Sequence, residues 1–98
     1  MVYEIEFSKR SLSELKKTFD FLLINWSFKT AVEFLEKFFL KINNISQHPY
    51  AYSKSALGRN IRRCVVTKHI TLYYKIKKYK IFVLFLFDNR QSPDKLKL

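Results

Sequence analysis

The stretch IRRCVVTKHITLYYKIKKYKIFVLFLFDNRQSP, from Ile61 to Pro93, decides the fold of this chain. It predicts three consecutive strands, with a hairpin break at residues 77–80. Ile81–Phe87 is apolar at every position, which predicts a strand covered on both faces. In the strand before it, residues alternate between a predicted buried face of Ile70, Leu72, Tyr74 and Ile76 and a predicted solvent-exposed face of His69, Thr71, Tyr73 and Lys75. Functional residues are expected on that exposed face and at the exit, residues 88–93.

The N-terminal half predicts one strand and a first helix. Val2–Phe7 alternates acidic with apolar residues and predicts an opening strand. Apolar residues then recur at spacings of three, four and seven, which predicts a helix over roughly Lys9–Asn25. Either Ser8 caps this helix, or Ser11 and Glu14 form a capping box. The apolar stripe of the helix consists of Leu12, Leu15, Phe19, Leu22, Leu23 and Trp26.

A second apolar stripe, from Ala31 to Ile45, predicts a second helix that Ser27 or Thr30 caps and that ends before Pro49. The short connection between the helices predicts an antiparallel hairpin lying on the sheet. Tyr50–Asn60 is expected to be a surface loop and Asp94–Leu98 a loosely held tail. The fold class is therefore α+β, with the order β-α-α-β-β-β in one domain over residues 1–98 and the helical hairpin packed on a small antiparallel sheet.

Positive charge dominates the composition. The chain has 19 Lys and Arg against 8 Asp and Glu, a formal net charge of +11, and no carboxylate occurs between Glu36 and Asp88. Such a surface attracts polyanions, so nucleic acid, an anionic membrane surface or an acidic protein partner would each fit it. A solvated face that keeps an apolar protein in solution is the alternative.

Several classes of site are not supported by the sequence. Cys64 can form no internal disulfide, which fits a reducing compartment, and its place in a strand favours a core residue. One Cys and two His, His48 and His69, do not form a closed metal site. Neither a metal nor another cofactor is expected. The N-terminus lacks the pattern of a signal peptide and no apolar run approaches the ~20 residues of a membrane span, so a cytoplasmic protein without membrane contact is expected.

A basic and aromatic set of side chains remains as the candidate site: Arg62, Arg63, Lys68, His69, Tyr73, Lys75 and Arg90. A metal-free ribonuclease could use such groups, with cations stabilising the transition state and a Tyr, His or Lys moving protons. Histidine is the residue type most often used to move protons, but a lone His at a strand start and a cross-strand Tyr both have common structural roles. From these residues alone, the chain is a basic α/β module that binds nucleic acid or an acidic protein.

The order of elements, with Arg62-Arg63 opening the second strand, Tyr73-Tyr74-Lys75 closing the third and Asn89–Pro93 after the last, resembles the RelE/ParE superfamily of toxins from type II toxin-antitoxin modules. The segments IRRCVVTKHITLYYKI and FDNRQSPDKL are more similar to the ParE branch than to the RelE branch. The resemblance covers nearly the whole chain. It implies two helices on an antiparallel sheet and a cognate antitoxin. RelE-type members cut messenger RNA in the ribosome, whereas ParE-type members are gyrase poisons.

The resemblance also implies residue roles. Arg90 corresponds to the basic position after the last strand, and Arg62 to a cation of the second strand. The third-strand arginine and the C-terminal tyrosine of the ribonuclease branch correspond here to Thr71 and Leu96. Two expected catalytic groups are therefore missing, which argues against the ribonuclease interpretation without excluding it.

The first hypothesis is a ParE-like toxin that inhibits DNA gyrase by binding it rather than by its own chemistry. The predicted target-binding residues are Arg62, Arg63, Lys68, Lys75 and Arg90. A groove lined by Leu15, Phe19, Phe38 and Phe85 would receive an acidic antitoxin segment, giving a hetero-oligomer.

Two alternatives remain open. One is a RelE-like, metal-independent endoribonuclease that cuts mRNA on the ribosome, with Lys68, His69, Tyr73 and Arg90 as its candidate catalytic residues and Arg62 as a further cation. The other is a non-toxic, basic nucleic-acid-binding module.

Overall fold

The elements follow one another in the predicted order β-α-α-β-β-β. The structure, a computed structural model, describes residues 2–98. Its strands are β1 (Glu4–Phe7), β2 (Ile61–Val65), β3 (Ile70–Lys77) and β4 (Lys80–Asp88), and its helices are α1 (Lys9–Asn25) and α2 (Phe28–Gln47), with 3₁₀ turns at Pro49–Ala51 and Pro93–Lys95. The α+β order is thereby confirmed. Neither helix of the described part is long and apolar enough to cross a membrane.

A serine begins each helix. The Ser8 hydroxyl accepts a hydrogen bond from the backbone N–H of Ser11 at 2.9 Å, and the Ser27 hydroxyl accepts one from Thr30 at 3.0 Å. Each bond satisfies one of the backbone donors that the first helical turn leaves without a partner. The capping box of Ser11 with Glu14 does not form, because Glu14 bonds to the sheet instead.

The sheet has the strand order β1-β4-β3-β2. β2, β3 and β4 form the predicted antiparallel meander, while β1 pairs in parallel with β4, with Ile5 opposite Ile81. The sheet is therefore mixed rather than wholly antiparallel. The helical hairpin carries the chain to the far edge at β2, and the meander then returns to β1 with β4 running in the same direction as β1.

The main core lies between α2 and one face of the sheet. Its buried residues are Phe34, Phe38, Ile42 and Ile45 of α2 together with Cys64, Val66, Ile70, Leu72, Tyr74, Ile81, Val83 and Leu86 of the sheet region. In α1 the buried residue is Ser11: α1 packs along β4 with half-buried side chains such as Leu15 and Leu22, while α2 supplies the large buried side chains. The predicted stripe of α1 is accordingly half-buried in the middle and exposed at Leu12, Leu23 and Trp26.

The second face of the sheet is also covered in its middle, so the prediction of a solvent-exposed face on β3 is wrong at Thr71 and Tyr73, whereas Lys75 is exposed as predicted. Thr71 and Tyr73 are only 2% and 4% exposed. Tyr73 stacks on Phe85 with ring centroids 4.8 Å apart, and Leu57 and Leu96 pack against this cluster. A loop and the C-terminal tail, rather than water, therefore cover this face around Tyr73.

The tail is held in place, in contrast to the prediction. The guanidinium of Arg10 donates to the carbonyl of Lys97 at 2.9 Å and lies 4.2 Å from the centre of the Phe85 ring. Gly58 leaves room for this arrangement, because a Cβ there would meet Ile61 at 2.9 Å and Leu98 at 3.5 Å.

β4 is an inner strand, and an irregularity within it changes which side chains, those at odd or at even positions, point into the main core. Tyr73 pairs with Phe85, but Tyr74 pairs with Val83, so Leu84 is the extra residue of a β-bulge. Before the bulge Val83 points into the main core, and after it Leu86 does. The bulge explains why apolar residues at both odd and even positions of Ile81–Phe87 are required.

Candidate functional site

An open groove of about 810 Å³ lies between the tip of the helical hairpin and the adjoining ends of β3 and β4. Its apolar walls are Phe21, Leu22, Trp26, Phe34, Ile70 and Leu86. Trp26 is 70% exposed and Phe21 is 48% exposed. Large aromatic side chains that face an open groove mark a surface that another molecule covers.

The groove differs from the predicted one. Phe38 is buried in the main core and Phe85 in the cluster on the opposite face of the sheet, so the two do not face a common space. Leu15 packs at the edge of the main core, and Phe19 is half-buried on α1. None of these four residues lines the observed groove. The sequence did contain a signal for it, since Phe21 is an apolar residue that lies off the stripe of α1.

Arg90 lies at the rim of the groove, but its guanidinium is hydrogen-bonded to Asp88. Its Nε and Nη2 donate to the two carboxylate oxygens of Asp88 at 3.0 and 2.6 Å, and its backbone N–H donates to the same carboxylate at 2.9 Å. These hydrogen bonds lower the pKa of Asp88 and raise the pKa of Arg90. Both groups stay charged at neutral pH and largely neutralise each other.

Lys17 and Lys37 supply positive charge to the groove. Within residues 2–98 neither side chain forms an ion pair. Of the three lining carboxylates, Glu14 accepts from the backbone of Leu86 and from Arg10, and Asp88 is held by Arg90. The third, Glu33, forms no ion pair in the described part of the chain and offsets part of the positive charge. An acidic segment could therefore pair with Lys17 and Lys37 without first displacing a partner.

The candidate catalytic residues are only partly assembled. His69 is half-buried and lines the groove together with Arg90, while Lys68 is exposed in the turn before His69. Tyr73 lies on the other face of the sheet, beneath Leu96. The structure thus brings His69 and Arg90 together but separates Tyr73 from them.

The remaining predicted target-binding residues divide into one structural and two exposed cations. The guanidinium of Arg62 donates to the carbonyl of Tyr52 at 2.6 Å and lies over the ring of Tyr50, so it fixes the segment after α2. Arg63 and Lys75 are exposed. Because Arg63 pairs with Tyr73 and Lys75 pairs with Ile61, both cations lie at the rim of the second face. Lys41 and Lys54, which the sequence analysis did not single out, lie beside Arg63.

Taken together, the fold and the groove define a class: a small basic domain with a helical hairpin on a four-stranded mixed sheet and an open apolar groove at the hairpin tip. A family model described as "ParE toxin of type II toxin-antitoxin system, parDE" matches residues 5–93. The chain belongs to this family of ParE toxins. Membership in this family identifies the chain as a toxin of a type II toxin-antitoxin system and not as a non-toxic module.

Solved structures share the fold at low sequence identity. A protein of the chromosomal ParDE toxin-antitoxin system from P. aeruginosa superposes with a TM-score of 0.77 at 9% identity, over 89% of this chain and 96% of that one. The YoeB/ParE toxin from Agrobacterium tumefaciens gives 0.63 at 14% identity, over 87% and 96% of the two chains. The E. coli RelE toxin gives 0.63 at 18% identity, over 94% and 89%. No curated protein sequence matches significantly.

Proposed function

We propose that this toxin inhibits DNA gyrase by binding it, and that a cognate antitoxin neutralises the toxin by filling the groove at the hairpin tip. The exposure of Trp26 and Phe21 in this groove carries the antitoxin part of the proposal. Aromatic anchors in a concave site are the usual centres of binding energy in protein interfaces.

The chemistry of the groove indicates the kind of segment that fits. Its apolar walls suit the apolar face of an amphipathic helix, as in other helix-in-groove complexes. Lys17 and Lys37 favour acidic residues flanking that face. The antitoxin segment is therefore expected to combine large apolar anchors with Asp or Glu.

The gyrase part of the proposal is supported by the poor assembly of the alternative, a ribonuclease site. Tyr73 is buried in a stack, and Arg90 is bonded to Asp88. Thr71, which stands where the ribonuclease branch is expected to have arginine, is buried, and its hydroxyl donates to the Asn89 side chain at 3.1 Å. Proton transfer to RNA needs donors and acceptors within reach of one substrate, and these groups lie on two faces of the sheet.

A supercoiling assay with purified gyrase tests the choice of target. We expect inhibition at micromolar toxin, together with cleaved DNA trapped on the enzyme, and reversal by the purified antitoxin. Unchanged supercoiling would contradict the gyrase proposal. Primer extension on translated messages after induction is the parallel measurement, and cuts at ribosome-occupied codons would establish the ribonuclease alternative.

A double substitution tests the groove. Phe21→Ser with Trp26→Ser should weaken antitoxin binding by roughly 100-fold or more, because each residue is an exposed aromatic anchor. The matched control is Ile24→Ser with Phe28→Ser, since both residues are 69% or more exposed at the same hairpin tip but do not line the groove. Calorimetric titration with the antitoxin measures both pairs. Equal losses in the two pairs would place the antitoxin elsewhere on the hairpin.

A further inference from the structure

A second concavity, of about 540 Å³, opens at the outer edge of β2, where α2 passes beside the segment after the 3₁₀ turn. We call it the basic notch. It is lined by Lys41, Tyr52, Ser53, Lys54, Arg63 and Val65. The lining holds three cations and no carboxylate.

Backbone hydrogen bonds fix two of the cations at the same edge of the sheet, with Lys54 on the face of Arg62 and Arg63 on the other face. The backbone N–H of Arg63 donates to the carbonyl of Ser53 at 3.0 Å, and that of Ser55 donates to the carbonyl of Ile61 at 2.7 Å. The backbone of Lys54 thereby pairs with that of Arg62 in an isolated antiparallel β-bridge, and Arg62 precedes Arg63 in β2. The position of these cations is set by the sheet and not by a mobile loop.

The third cation comes from the helix. Lys41 of α2 lines the notch, and its positive charge opposes the burial that raises the pKa of the Cys64 thiol. Tyr52 closes the inner side of the notch, with its ring packed edge-to-face on Tyr74 at 6.4 Å. Lys41 therefore adds a third positive charge to the notch, from α2.

The three cations have no counter-charge. Within residues 2–98, none of Lys41, Lys54 and Arg63 forms an ion pair, whereas Arg10, Lys16, Lys80 and Arg90 all do. Like charges that converge on one concavity repel each other, and a bound anion would reverse this repulsion.

We propose that the basic notch binds the phosphodiester backbone of DNA. A phosphate group accepts charge-assisted hydrogen bonds from several donors at once, which suits a guanidinium, two ammonium groups and the Ser53 hydroxyl. The exposed side chain of Val65 and the Tyr52 ring offer apolar contact for a sugar.

The cations beyond the notch favour a nucleic acid over a short acidic peptide. Arg63, Lys75 and Lys77 are exposed on the same face of neighbouring strands, and Arg63 is a diagonal neighbour of Lys75. Diagonal neighbours lie ~7–8 Å apart, so Arg63 and Lys75 could both contact phosphates of one DNA strand. One backbone strand could therefore contact the notch and then this row.

This inference goes beyond the proposed function, because it holds whichever target the toxin inhibits. The notch and the antitoxin groove share no lining residue, although Lys41 of the notch lies one helical turn from Lys37 of the groove. DNA and an antitoxin segment could thus be bound at the same time.

Fluorescence anisotropy with the purified full chain and a labelled 20-base-pair DNA duplex tests the proposal across a range of salt concentrations. The variant Lys41→Gln, Lys54→Gln, Arg63→Gln should bind at least ~10-fold more weakly, and the slope of log affinity against log salt should decrease by about 2 to 3, or ~0.9 per lost phosphate contact. The control, Lys9→Gln, Lys16→Gln, Lys29→Gln, removes the same charge from the exposed face of the helices. It should lose less than ~3-fold.

Three results would overturn the proposal: no binding by the wild-type chain, equal losses in the two triple variants, or a polyglutamate peptide of equal charge that binds as tightly as the duplex. The last result would indicate an acidic protein partner. Because Lys41 is half-buried, circular dichroism must show that the triple variant folds. The pair Lys54→Gln with Arg63→Gln changes exposed residues only and should show most of the loss.

Discussion

Single polar side chains complete the hydrogen bonding where β1 stops pairing with β4. The last pair of that ladder is Phe7 with Val83, which leaves the next part of β4 with an unpaired edge. There the Ser8 hydroxyl donates to the carbonyl of Leu84 at 2.6 Å, and the Glu14 carboxylate accepts from the N–H of Leu86 at 2.9 Å. The first turn of α1 thus satisfies backbone groups that would otherwise be buried without partners.

Ser8→Ala is expected to destabilise the protein by about 2–3 kcal/mol, because it removes both the helix cap and the bond to Leu84. Ser27→Ala is the matched control, since the exposed Ser27 caps α2 without bonding the sheet, and it should cost only about 1 kcal/mol. Urea unfolding followed by circular dichroism measures both. Equal costs would mean that the bond to Leu84 adds nothing to stability.

For single residues, the sequence predicts contacts between residues that are close in the chain and misses contacts between residues that are far apart in the chain. Ser8 could be recognised as a cap because its partner lies three residues away, but its second partner lies 76 residues away. The pairing of Arg90 with Asp88 is not predicted although they lie only two positions apart, because a positive charge after the last strand suggests a free cation. The periodicity of a sequence predicts which side chains share a face of a helix or strand. It does not predict which polar atoms form hydrogen bonds with each other.

Among the elements, β4 has to satisfy the most packing constraints. It is flanked by β1 and β3, and its side chains enter both cores. The seven apolar residues correctly predicted an inner strand. They could not predict the bulge at Leu84, because a continuous apolar run has no alternation in which an extra residue would be visible.

The bulge leads to unequal costs for two adjacent leucines. Leu86 is 5% exposed and lies in the main core, so Leu86→Ala should cost about 2–5 kcal/mol. Leu84 is only half-buried at the border of the second cluster, so Leu84→Ala should cost less, about 1 kcal/mol. The free energies of unfolding in urea decide this. A larger loss for Leu84 would mean that the register after Val83 is continuous.

The error about β3 has a physical cause that also lies at the level of elements. Tyr73 and Lys75 belong to one face, which the alternation predicted to be wet throughout. Covering residues come instead from Leu57 in a loop and Leu96 in the tail, two segments without periodicity. Irregular segments carry no pattern that says where they fold, so this half of the candidate site could not be predicted.

For the whole molecule, the two proposed binding sites differ in chemistry. The groove at the hairpin tip is apolar with a few cations, whereas the basic notch at β2 is cationic with little apolar surface. The sequence predicted the basic second half but not where it concentrates, because Lys41 of α2 meets Lys54 and Arg63 only in the folded chain. Charge composition predicts that polyanions bind, and the fold determines where.

The net charge of +11 should make stability depend on salt over the whole molecule. Between 0.01 M and 0.1 M salt the Debye length falls from about 30 Å to about 10 Å. Because the molecule measures 39 × 32 × 22 Å, cations on opposite sides repel each other only at the lower concentration. The melting temperature should therefore rise with sodium chloride over this range, by about 4–8 °C for each kcal/mol of repulsion that is screened.

The variant Lys9→Gln, Lys16→Gln, Lys29→Gln has three fewer positive charges and should show a smaller rise. Differential scanning calorimetry of both chains at matched pH measures the effect. A melting temperature that falls with salt would show that the ion pairs, such as Lys16 with Asp20 and Arg90 with Asp88, contribute more than the net repulsion. A rise of equal size in both chains would instead indicate preferential binding of chloride, since screening of fewer charges must yield less stabilisation.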